Sequence, residues 1–171
     1  MRARQSSCAF TGHRPSKLPW GADESDARCA ALKARIRDAV EEAYRADYTH
    51  FICGMARGCD MYFGEIVAEL REKNPDITLE AAIPCPTQTQ SWTDAERARY
   101  AALLEKCDYE TMVQDHYSAA CMQRRNRYMV DRASMLIAAY DGCAGGTMRT
   151  IEYALSQGVS IVDIPIVTEE K

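Results

Sequence analysis

The chain has 171 residues, of which 47% are apolar and 27% charged, which suits a chain that buries a core and excludes a disordered or low-complexity one. No apolar run approaches the ~20 residues of a membrane-spanning helix, and the basic N-terminus MRARQSSCAF lacks the apolar stretch of a signal peptide. A net charge of −4 argues against wholesale wrapping of nucleic acid but leaves room for a small anion held by a few arginines.

A cytoplasmic protein is expected, with one domain over residues 1–171 and no membrane association. The eight cysteines, at 8, 29, 53, 59, 85, 107, 121 and 143, form no C-x-x-C pair and no pattern with histidine. Reduced thiols in a core are expected, and no metal site.

Two periodicities alternate along the chain. Ser7 to Thr11 reads as a first strand ending in Gly12-His13-Arg14-Pro15. From Asp23 onward, Cys29, Leu32, Ile36, Ala39, Val40 and Ala43 recur at helical spacing. Thr49 to Cys53 is a second strand stopped by Gly54, and the helix after it ends at Asn74-Pro75. Ile77 to Ile83 is a third strand. Thr93-x-x-Glu96 is a capping-box signature for a helix running to about Lys106. Tyr109 to Val113, Met135 to Tyr140 and Val159 to Ile164 complete the strands, with helices around Met122–Ala133 and Thr147–Gln157 between them.

Strands separated by helices imply parallel pairing through right-handed crossovers. The expected fold is α/β: a three-layer, Rossmann-like, doubly wound and mainly parallel sheet of about six strands. In such sheets ligands bind beyond the carboxyl ends of the strands, where the strand order reverses.

Three turns after strands join glycine to polar or cationic residues: Thr11-Gly12-His13-Arg14, Gly54-Met55-Ala56-Arg57-Gly58-Cys59-Asp60, and Asp141-Gly142-Cys143-Ala144-Gly145-Gly146-Thr147. Glycine lets backbone approach a ligand, and free N–H groups at a helix start favour an anion. Arg14 and Arg57 add charged donors for a phosphate, and both are expected at one pocket with Gly145-Gly146. His13 either donates to that phosphate or fixes its own turn. Gly58 and Asp60 open a helix, where Asp60 is first a capping residue. Asp141 either holds the last turn or faces the ligand, and Trp92 either stacks on a base or packs.

On the helix around residue 126, a wheel places Met122, Asn126, Met129 and Ala133 on the buried face, with Arg125 at its flank and Arg124 and Arg127 in solvent. An amide on an apolar face must find hydrogen-bond partners, so Asn126 and Arg125 are candidates to reach the ligand.

The run Gly12-His13-Arg14-Pro15, Gly54-x-Ala56-Arg57-Gly58-x-Asp60, Gln90-x-Trp92, Arg125-Asn126-x-x-Met129-Val130-Asp131 and Asp141-Gly142-x-x-Gly145-Gly146-Thr147-x-x-Thr150 closely resembles the YpsA-like proteins of the SLOG superfamily, over about residues 7 to 164. That superfamily also holds DprA and the LOG phosphoribohydrolases. The resemblance implies a Rossmann-like fold and a site for a nucleotide or nucleotide-derived phosphorylated ligand. It indicates no further cofactor.

LOG enzymes carry Arg-Lys-x-x-Met and Gly-Gly-x-Gly-Thr-x-x-Glu. Here Asn126 stands in place of the lysine and Thr150 in place of the catalytic glutamate. Threonine replaces a carboxylate poorly as acid or base, and Glu152 lies about 200° away around the helix. The expected function is therefore a sensing or regulatory binder. The rival is a LOG-like nucleoside 5′-monophosphate phosphoribohydrolase, an N-glycosyl hydrolase. Strong nucleic-acid binding of the DprA kind is not expected, and a homo-oligomer is left open.

Overall fold

The computed structural model describes residues 3–167. Six strands, β1 (Ser7–Gly12), β2 (His50–Cys53), β3 (Thr78–Ile83), β4 (Tyr109–Met112), β5 (Met135–Tyr140) and β6 (Ser160–Pro165), alternate with five helices. These are α1 (Ala27–Arg45), α2 (Cys59–Lys73), α3 (Asp94–Lys106), α4 (Cys121–Asp131) and α5 (Gly146–Ser156). All strands pair in parallel, in the order β4-β3-β2-β1-β5-β6. The α/β Rossmann-like fold expected from the alternating periods is thus present. The chain moves outward from β1 through β2 and β3 to β4, then returns to the other side of β1 with β5. The order reverses between β1 and β5.

Side-chain alternation along the strands divides the core into two layers. Cys8 and Phe10 of β1 and Ile137 and Ala139 of β5 face α1, α2 and α3. Ala9, Leu136 and Ala138 face α4 and α5, against Met129, Val130, Ile151 and Ala154. Phe10 stacks on Phe63 of α2 at 4.6 Å, which fixes α2 against the central strand.

Element ends follow local chemistry. Asp26 caps α1 by accepting from the Arg28 N–H, so that helix starts later than Asp23. The Thr93–Glu96 capping box of α3 is formed in both directions. Trp20 is buried and donates to Tyr62 Oη at 3.4 Å, tying the segment before α1 onto α2. Cys8, Cys29, Cys53, Cys59, Cys85 and Cys121 are buried free thiols, while Cys143 is exposed. Burial pushes the Cys53 and Cys59 thiols well above their ordinary range. Among the described residues no helix is long and apolar enough to cross a membrane.

Candidate functional site

The turns after β1 and β5 meet where the strand order reverses. His13 N–H donates to Ala139 O at 3.3 Å, extending the ladder past the end of β1. The buried His13 ring then locks the two turns together. Its Nε2 donates to Asp141 Oδ1 at 2.8 Å, and its Nδ1 takes the Thr147 hydroxyl at 3.3 Å. Burial works to raise the Asp141 pKa, but hydrogen bonds from His13 and the Cys143 N–H outweigh it and hold the carboxyl below its usual range. With its ring nitrogens engaged in this way, His13 ties the turns after β1 and β5 together.

The cleft above this junction encloses about 350 Å³. Gly12, His13 and Arg14 line it from the β1 turn, Asp60 from α2, Arg125, Asn126 and Met129 from α4, and Gly146 and Thr147 from α5. Lys17, from a 3₁₀ turn at Pro15–Lys17, also lines it and was not singled out from sequence. Its ammonium lies where a side chain on Gly145 would begin. Gly145, at φ 153° and ψ −165°, occupies a region reserved for glycine and caps α5. Gly146 has open space around it. A basic residue shortly after the Gly12-His13-Arg14-Pro15 turn was the available clue to Lys17.

Arg14 and Lys17 are exposed, and neither forms a salt bridge among the described residues. Arg125 is different. The wheel put it at the flank of α4, but it is 4% exposed and occupies the buried face with Cys121 and Met129, while Asn126 is only half-buried. Its guanidinium can be buried because it is well supplied with acceptors: Nη1 donates to Gly54 O, and Nε donates to Asn126 Oδ1 at 2.9 Å. Burial nonetheless lowers its pKa, with Asp60 opposing that effect.

Asp60 does not cap its own helix. Its Oδ2 accepts from Ala56 N–H at 3.1 Å, holding the turn after β2 in which Met55 adopts φ +60°. Burial raises the Asp60 pKa, with Arg125 and the Ala56 N–H pulling it back. Gly54 lies between the two charged groups: a Cβ there would meet Asp60 Oδ2 at 2.8 Å and Arg125 Cζ at 2.9 Å. Gly58 serves a different contact. Its φ is +82°, and a Cβ would strike His13 O at 2.8 Å, so it packs the β2 turn against the β1 turn.

Arg57 lies outside the cleft lined by Arg14 and Gly146, where it was expected, and Trp92 lies beside it. Arg57 pairs with Glu96 at 3.2 Å, lies over the Trp92 ring at 5.4 Å, and lines the adjoining clefts instead. Trp92 is buried, with Tyr100 against its edge at 5.6 Å. Thr150 lines an adjoining cleft with Asn126 and Gly146, and its hydroxyl donates to Gly146 O at 2.9 Å. Glu152 is exposed on that same cleft. Among the described residues no cluster of His, Cys, Asp and Glu suited to a metal ion occurs.

The cleft above the His13 junction therefore gathers three cationic side chains, one buried carboxyl and the N-terminus of α5 at the carboxyl edge of a parallel sheet. Such an arrangement can hold an anion.

Comparison with known proteins agrees with the fold. The chain is 29% identical over 136 residues to the SPbeta prophage-derived protein YoqJ of Bacillus subtilis, covering 72% of this chain and 80% of that one. It is 23% identical over 140 residues to the UPF0398 protein YpsA of the same organism, covering 78% and 74%. The crystal structure of DNA processing protein A from Streptococcus pneumoniae superposes with a TM-score of 0.62 at 15% identity, over 94% of this chain. This chain spans 50% of that protein's length. The family model YpsA, described as the YspA SLOG family, matches residues 8–165, and the chain belongs to that family.

Proposed function

We propose that this YpsA-family chain binds a nucleotide or a nucleotide-derived phosphorylated ligand in the cleft between the end of β1, α4 and the start of α5, and that it acts in the cytoplasm as a sensor or regulator. One observation carries the reading. Arg14, Lys17 and buried Arg125 line one cleft with the α5 N-terminus at the point where strand order reverses. Oriented N–H groups and guanidinium donors are the usual means of holding phosphate. Arg14 and Lys17 form no salt bridge among the described residues, so their donors are available to a ligand.

Calorimetric titration of the full chain with nucleoside monophosphates and the matching nucleosides tests this. The monophosphate is expected to bind at least ~10-fold tighter, as one charged hydrogen bond contributes. Equal affinities overturn the phosphate assignment. Mass spectrometry of small molecules that co-purify with the protein would identify the ligand.

A second reading, a phosphoribohydrolase acting on nucleoside 5′-monophosphates, is favoured by Asp60. It is a buried carboxyl on the cleft wall with a raised pKa, as a proton donor requires. Thr150 supplies no such group. Chromatography for released base decides between the two readings. Turnover of about 1 s⁻¹ or faster, abolished by Asp60→Asn, would establish the enzyme.

A further inference from the structure

A second cleft of about 630 Å³ continues from the first, and Arg14 and Ala56 line both. Its other walls include Trp92, Met122, Cys85 and Gln88, from the turn after β3 and the start of α4. It keeps two arginines, Arg14 and Arg57, and adds the Trp92 and Tyr117 rings and the sulfurs of Cys85 and Met122. An apolar wall with a few fixed polar groups is what a planar heterocycle requires.

Gln88 is the fixed polar group. It is 8% exposed, and its Nε2 donates to Gly54 O at 3.1 Å. Gly54 O can only accept, so the amide nitrogen must face it and the orientation of the carboxamide is set. The remaining atom, Oε1, is buried and accepts no hydrogen bond; among the described residues it is the buried side-chain polar atom left in that state. An unpaired buried acceptor is costly and calls for a donor.

On the reading that the first cleft holds the phosphate of a nucleotide, we infer that Gln88 determines which base is accepted. The geometry points to a base with an exocyclic amino group opposite the sugar, a 6-aminopurine or a 4-aminopyrimidine. A small turn of the carboxamide about its anchored nitrogen brings Oε1, which has almost no exposed surface, to the amino N–H and satisfies it. A keto oxygen at that position sets acceptor against acceptor and leaves Gln88 unpaired, which a buried site rejects strongly. Gly54 O also accepts from Arg125, so the base-reading amide and the buried cation share one anchor.

The test compares ligands that differ by that amino group alone. The full chain is titrated with adenosine 5′-monophosphate and purine riboside 5′-monophosphate, with cytidine 5′-monophosphate and its 4-deamino analogue, and with the four parent nucleosides. The amino member of at least one pair is expected to bind roughly 5- to 100-fold tighter. Gln88→Met, with its fold checked by circular dichroism, is expected to abolish that preference by weakening the amino member. Equal binding within both pairs, or a preference that survives Gln88→Met, overturns the assignment. The nucleosides separate this from the phosphate reading. If phosphorylated and unphosphorylated members bind equally but the amino preference persists, the phosphate site falls and the Gln88 assignment stands. Binding of none of the eight overturns both.

Discussion

Gln88 and Arg125 donate to the same acceptor, the carbonyl oxygen of Gly54 in the turn after β2. The turn needs glycine because a Cβ there would meet Arg125 and Asp60. It also needs the Asp60–Ala56 bond, which holds the left-handed Met55 beside it. A change at this carbonyl therefore moves the walls of two clefts together.

The first expectation concerns Gly54 itself. A methyl group there would press on Asp60 Oδ2 and on the Arg125 guanidinium. Overpacking of this kind costs about 1–3 kcal/mol, so Gly54→Ala should lower the melting temperature by roughly 3–10 °C. Thermal unfolding followed by circular dichroism checks this. An unchanged transition would mean that Arg125 swings aside without loss.

Charge removal should separate the two clefts. Arg14→Ala and Lys17→Ala should each weaken a nucleoside monophosphate by roughly 10- to 150-fold, from the loss of a charged hydrogen bond of ~1.5–3 kcal/mol. The unphosphorylated nucleoside should be little affected. Arg57 is already engaged by Glu96 and the Trp92 face. Arg57→Ala should thus change both ligands by the same factor. Paired calorimetric titrations give the comparison, and a phosphate-selective loss at Arg57 would contradict this assignment.

The two glycines that open α5 should respond differently. Gly145 combines a backbone conformation closed to other residues with the Lys17 ammonium in front of it, whereas Gly146 faces open space. Gly145→Ala should abolish nucleotide binding while the protein stays folded, because both the backbone turn and Lys17 must shift. Gly146→Ala should leave the fold intact and affinity within a few-fold. A titration in which the two variants lose affinity equally would argue against the Lys17 placement.

Acid stability should depend on Glu80. At the opposite end of the sheet, Glu80 accepts from His50 Nε2 at 2.9 Å, Tyr128 Oη at 2.7 Å and Thr111 Oγ1 at 3.2 Å. Burial alone would raise its pKa, but the hydrogen bonds from His50 and Tyr128 prevail and lower it. A carboxyl with a depressed folded-state pKa stabilises the protein above its unfolded value, and the contribution is lost as pH falls through the usual carboxylate range. Asp141 acts in the same direction. Melting temperature should therefore fall between about pH 5 and pH 3, and Glu80→Gln should flatten that slope while lowering the plateau near neutrality. A slope unchanged in Glu80→Gln would assign the acid transition to other groups.

Much of the fold was legible in local chemistry. The alternation of helical spacing with short apolar runs gives parallel strands, and the strand spans agree with the structure to within a residue or two, as at Met135–Tyr140. The Thr93–Glu96 capping box likewise needs only residues three apart. Sequence also directs attention to the turns after strands, since a parallel sheet offers free backbone groups there. Which long side chain fills which cleft was decided by packing between distant segments. A helical wheel ranks residues by angle alone, so it left Arg125 at the edge, although acceptors from the β2 turn make its burial affordable. The same dependence on distant partners drew Arg57 to Glu96, brought Lys17 to Gly145 and engaged His13 with Asp141. It also left Gln88 with an amide held by Gly54 and a buried oxygen without a donor. Local spacing fixes which backbone turns exist, because helices and strands are periodic over a few residues. The charge and donor pattern inside the clefts belongs to the tertiary structure, because hydrogen bonds and ion pairs form over about 3–4 Å between groups that the sequence holds far apart.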